Sequence, residues 1–341
     1  MSTTTTRPEL VPIASTEAGI PLDAIVPDDP WRAIRLIGLG AYAVAYIVWS
    51  QHNGLIIDRI SVGISVAIFI IIGHLGRPLI RWGQLLFGVC CYVAMWYVYE
   101  STRGWGDRAG FPLQVEAPRN IDRFLFFGAD PSVWMQRHFY SKNDIHWYDK
   151  VASATYYTHF VFPVIALAVV WVTSHREWAR FMKRFASLLG VACVGFVVLP
   201  TVPPWMAAST EKRYHFQILE PLARPTGRGF ASLGFKGFVH TWQSALDWNN
   251  AVAAMPSLHA GFALFVPAFF LPRIKWVWLK VLVLTFPMIM LTSLVYFGEH
   301  YVADGLAGWL IVGLSFAFWR WFEQRQRNKR AARAVLAMAS L

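Results

Sequence analysis

Charge is scarce in this 341-residue chain. Asp, Glu, Lys and Arg together make up 15% of it, where an ordinary soluble domain carries about 25%, and 56% of the residues are hydrophobic. That balance excludes an ordinary soluble domain and points to a bilayer protein. Cysteine is rarer still. Cys90 and Cys91 adjoin in one apolar run and Cys193 sits in another, so neither a disulfide framework nor a zinc-binding spacing is offered, and all are expected to pack. The polar N-terminal segment has no apolar run behind a basic start and carries Pro8, Pro12, Pro21 and Pro27. No cleavable signal peptide is therefore expected, and the first span serves as its own anchor. Internal repeats and low-complexity linkers are missing too, which leaves a single membrane domain.

What is plentiful is apolar sequence of membrane length. A span needs about 20 apolar residues to cross roughly 30 Å of hydrocarbon. The candidate stretches are 34–50, 55–73, 83–99, 153–173, 185–203, 252–271, 276–297 and 301–322. The expected fold class is all-α: a polytopic transmembrane helical bundle of about eight spans over 34–322, between a disordered N-terminus (1–33) and a basic tail (323–341). The net charge is +11, and its placement is orderly. Arg77 and Arg81 follow the second stretch, Arg176, Arg180, Lys183 and Arg184 the fourth, and Arg273, Lys275 and Lys280 the sixth, while the tail adds Arg325, Arg327, Lys329, Arg330 and Arg333. By the positive-inside rule these connections and both termini face the cytoplasm of a multi-pass cell-membrane protein. No basic patch is interleaved with aromatics, so no nucleic acid is expected as a partner.

Two long polar connections, 100–151 and 204–251, fall on the opposite side and are expected to cap the extracytoplasmic end. Trp105, Trp134, Trp147, Trp205, Trp242 and Trp248 lie in them and fit an interfacial belt. The runs Arg123-Phe-Leu-Phe-Phe127 and Ser132-Val-Trp-Met-Gln-Arg137 suit the headgroup layer.

Chemistry concentrates in two segments, Ala254-Met-Pro-Ser-Leu-His-Ala260 and Ser293-Leu-Val-Tyr-Phe-Gly-Glu-His-Tyr-Val-Ala-Asp304. Between His259 and His300 the chain crosses the bilayer inward and returns, so both histidines belong at the outer rim. Gly298 permits the tight turn that makes the last two spans antiparallel neighbours. His300 and Asp304 are four apart, which on a helix puts them on one face, where the carboxylate can accept an imidazole N–H and leave the other ring nitrogen as a lone pair. Pro256 and Ser257 suit a helix start, and two helix N-termini meeting at this rim would offer N–H groups to a phosphate. Ionisable groups inside a span are costly and usually functional, which favours a catalytic triad of His259, His300 and Asp304 over residues merely packed at the interface.

These residues carry a family resemblance. Pro256-Ser257-Leu258-His259 and His300-x-x-x-Asp304 resemble the second and third signature motifs of the type 2 phosphatidic acid phosphatase (PAP2) superfamily, over roughly the last half of the chain. The resemblance implies that His300 attacks phosphorus to give a phosphohistidine, that Asp304 orients it and that His259 protonates the leaving oxygen, with no metal or other cofactor. There are departures from the pattern of lipid phosphatases. Leu258 stands where they usually have Gly and Leu294 where they have Arg, while Gln217, with six residues between it and Arg224-Pro225, replaces the lysine of the first motif. With Pro200-Thr-Val-Pro-Pro-Trp205 and Tyr156-Tyr-Thr-His-Phe160, these departures look most like the Aur1-type inositolphosphotransferase branch.

The phosphate clamp must then be built differently. Its candidates are Lys212, Arg213, Arg224 and Arg228, with Ser257, His159 and Tyr296 as further substrate-binding candidates and Asp144 and Asp149 as possible hydroxyl readers. The expected partners are a membrane lipid substrate and a polyol or glycan acceptor. Transfer to such a hydroxyl is the leading expectation, and hydrolysis of a lipid phosphate or pyrophosphate the alternative. A transporter or scaffold with a degenerate core is the reading of a different class. The discontinuous spans and midplane charges that would favour it are few, Asp58 and Arg59 lying near a span end.

Overall fold

In hydrocarbon a long apolar run must satisfy its own backbone, and the α-helix does so within one segment. The computed structural model describes residues 29–53, 59–103, 105, 109–211, 216–232 and 252–339. Among them the elements are α1 (Arg32–Asn53), α2 (Arg59–His74), α3 (Leu79–Arg103), α4 (Ala117–Leu125), α5 (Pro131–Phe139), α6 (Trp147–Thr173), α7 (His175–Val198), α8 (Pro204–Ala207), α9 (Arg228–Ser232), α10 (Leu258–Phe270), α11 (Val277–Tyr296) and α12 (Val302–Ala339). The fold is the expected all-α bundle. Among the described residues six helices are long and apolar enough to span a membrane, and two shorter apolar ones are Gly63–His74 and Leu258–Arg273.

Several boundaries differ from the expected ones. The stretch expected over 252–271 becomes helical only at Leu258, because Thr201 N–H bonds Val252 O (2.7 Å) and Ala254 N–H bonds Thr201 O (3.4 Å), which holds this stretch extended. The stretch expected over 185–203 ends its helix at Val198, just before the proline-rich segment that starts at Pro200. α6 begins six residues earlier than expected, at Trp147, where the Asp149 carboxylate accepts the His146 N–H (2.8 Å). α12 continues beyond Phe322 through the basic tail to Ala339.

The core lies among α6, α7, α10, α11 and α12. Phe181, Phe185, Leu188, Phe265, Phe269 and Val312 form one buried cluster, in which Phe181 and Phe265 meet edge to face at 5.0 Å. Such a pair contributes about 0.5–1.5 kcal/mol beyond its buried area. One end of this bundle is closed by Arg184, whose guanidinium bonds both oxygens of Glu323 (3.1 and 2.9 Å), and by an Arg273–Glu177 ion pair. The described parts of the two long connections cover the other end. There Val133, Val202, Met206, Ala207 and Leu219 pack against Tyr301 and Ala303. Cys193 is buried as expected, whereas Cys90 is exposed on α3.

Candidate active site

The site forms where α10 and α12 begin, at the capped end. Ser257 caps α10, its hydroxyl accepting Ala260 N–H at 3.3 Å, with Pro256 just outside the helix. Ser257 N–H in turn bonds Asp304 O (2.9 Å), which ties the two helix starts together. Gly308 allows that approach: a Cβ there would lie 2.3 Å from Ser257 O. Gly298 makes the turn out of α11 with φ +67°.

His300 is placed by this turn rather than by helical spacing. It precedes α12, whose first helical residue is Val302, and the fully buried Asp304 reaches back over the helix start. Asp304 Oδ2 accepts Tyr301 N–H (2.9 Å) and faces His300 Nδ1 (3.3 Å). With the Nδ1 proton directed at Asp304, the lone pair of His300 sits on Nε2. That atom does not point outward; it faces His259 Nδ1 at 3.4 Å. His259 also stacks on His159, ring centroids 3.9 Å apart and 26° between planes, and Tyr156 lies 4.6 Å from it on the same helix as His159. Three histidines from α6, α10 and the start of α12 therefore form one row, with a carboxylate behind the last. A phosphate brought to the His259–His300 pair would meet two imidazole nitrogens together, the pairing that nucleophilic and acid–base catalysis need.

The family model of the PAP2 superfamily matches residues 120–318, more than half of the chain. The chain belongs to the PAP2 superfamily. Its chemistry is accordingly of the phosphatase type. No curated protein and no solved structure matches the chain. The matched segment of this PAP2 chain runs from within α4 through α11 and into α12, so it includes all three histidines and Asp304.

The other expected binding residues are drawn into the cap of the PAP2 chain. Arg224 gives its fork to Glu299 (2.7 and 2.9 Å), the residue before His300, and lies 4.3 Å over the Trp205 ring. Thr226 adds a third bond to the same carboxylate (2.8 Å). Arg228 donates to Asp144 O and sits 4.9 Å over Tyr140, with its Nε 3.9 Å from Asp149. Tyr296 turns its hydroxyl to Asp149 (2.8 Å), so this buried aspartate, proposed as a hydroxyl reader, holds α6 to α11. Lys212 and Arg213 lie outside the described residues, as do Trp242 and Trp248.

A further expectation is corrected. The start of α12 does not present its N–H groups to a phosphate, because Asp122 of α4 takes them: Val302 N–H and Ala303 N–H each reach its carboxylate at 2.8 Å. This aspartate is almost fully buried, and burial pushes its carboxyl up to about 6 against the pull of those two bonds. Tyr301 beside it is buried too, which pushes its phenol upward. Sequence reasoning missed Asp122. The available signal was a lone carboxylate set among the apolar residues of 121–127.

Proposed function

We propose that this PAP2 chain moves the phospho group of a lipid phosphate or lipid-linked phospho-headgroup to an acceptor hydroxyl through a phosphohistidine. One observation carries the reading: His300 Nε2 stands 3.4 Å from His259 Nδ1 with Asp304 behind its other nitrogen. In the first step the Nε2 lone pair attacks phosphorus, the bond from phosphorus to the leaving oxygen breaks, and His259 gives that oxygen its proton. In the second the acceptor oxygen attacks phosphorus, the N–P bond breaks, and His259 takes the acceptor's proton. The enzyme ends as it began. His300 and Asp304 are buried beneath the cap, which supports transfer because bulk water has limited access to the intermediate. Hydrolysis is the second reading, favoured by the phosphatases that generally make up the superfamily. The positive-inside pattern supports a cell-membrane protein with both termini cytoplasmic and the reactive end outside.

The test uses the purified full chain and a panel of lipid phosphates, wild type against His300→Ala. An acid-labile, alkali-stable phosphoprotein in the wild type alone is expected. Mass spectrometry with and without inositol or another polyol then divides transfer from hydrolysis. Equal turnover by both proteins would overturn the mechanism and favour a scaffold or transporter.

A further inference from the structure

α4 has two faces that do different things. Pro118 and Asp122, four apart, are buried, and Asp122 holds the first two N–H groups of α12. Ile121, Phe124 and Leu125 share the other face and are exposed. The chain then turns back through left-handed backbone at Phe127 (φ +52°) and Gly128 (φ +92°), with Gly128 N–H bonded to Arg123 O (2.6 Å). This turn leaves Phe127 fully exposed at the tip and Phe126 exposed beside it, while Phe124 is 83% exposed. Five large apolar side chains thus project from a short element outside the spanning helices, which is a costly arrangement in water.

We propose that this face is seated in the bilayer, at the boundary of headgroups and acyl chains on the reactive side. Level is the first reason. Asp122 bonds Val302, the residue at which the spanning stretch of α12 begins, so α4 lies where that helix enters the membrane. Charge is the second: Arg123 is exposed between the buried carboxylate and Phe124, as a cation facing lipid phosphates would be. Neighbouring aromatics are the third. Trp134 and Phe139 of α5 and Trp147 of α6 are also exposed at this end, as in an interfacial belt. The helix that holds the start of α12 would then rest on the leaflet.

The test needs no turnover, so it succeeds or fails independently of the proposed chemistry. The full chain, with its native cysteines replaced, receives a nitroxide at position 124 or 127, or at 142 in place of the exposed Lys142 between α5 and α6, and is reconstituted in phosphatidylcholine vesicles. Oxygen, which partitions into lipid, is expected to relax the labels at 124 and 127 several-fold more strongly than an aqueous nickel complex, with the reverse at 142. Nickel-dominated relaxation at 124 and 127 would overturn the proposal. So would dipolar broadening between labels, which would mean that a second copy covers the face. An independent version keeps the native cysteines and places a photoreactive benzoyl-phenylalanine at 127: crosslinks to lipid are expected, and crosslinks only to protein would refute the seating.

Discussion

Replacing Asp304 by Asn isolates the charge behind His300. The amide oxygen can occupy the place of Oδ2 and still accept from Tyr301 N–H and His300 Nδ1, so shape is kept and one negative charge removed. When Nε2 bonds to phosphorus, positive charge develops on the ring, and Asp304 opposes it across 3.3 Å. Coulomb's law at an effective dielectric near 20 makes that worth about 5 kcal/mol, and the complete burial of Asp304 limits screening. Part of this is matched by the amide dipole, so kcat should fall by about 10²–10⁴ while KM changes little. The assay is release of the leaving group from a short-chain lipid phosphate in detergent, steady state and single turnover, beside a thermal melt. A loss of less than about tenfold in a variant that melts normally would refute the claim that Asp304 acts through the charge of His300.

Three other perturbations follow from the same geometry. His259→Ala should lower kcat by about 10²–10⁴ for a lipid alkoxide leaving group but far less for p-nitrophenyl phosphate, whose leaving group needs no proton; equal losses would exclude the acid role. Asp122 carries a carboxyl raised from 3.8 to about 6, so the folded state holds this proton more tightly than the unfolded chain does. Its contribution to stability is therefore greatest in acid and declines as pH rises from about 4 to 6, by about 3 kcal/mol at most, then levels. Melts of Asp122→Asn across that range should lack this slope, and an unchanged slope would reject the assignment. Gly308→Ala would set a Cβ 2.3 Å from Ser257 O and push α10 from α12, costing about 1–3 kcal/mol in the melt and separating the two histidines; full activity would show that the helix starts need not touch.

The bundle was legible because the signal for a span is additive and local. About 20 apolar residues declare themselves whatever they pack against, as α1, α3, α6, α7, α11 and α12 do. The meeting of His259 and His300 was legible for a similar reason. Two crossings of roughly equal length return the chain to its starting depth, and Gly298 marks the turn. Boundaries failed where partners distant in sequence intervened, as where Thr201 holds the segment before Ser257 extended.

Composition, span length and the two short motifs were thus sufficient to determine a membrane bundle and the meeting of His259, His300 and Asp304 at one end of it. Tertiary structure alone decided how those residues are held. Asp122 reaches the start of α12 from 180 positions upstream, Glu299 engages Arg224, and His159 stacks on His259 from another helix. No local pattern encodes such contacts, because a hydrogen bond or a stacked ring depends on where two side chains arrive in space, and that depends on packing the whole chain at once.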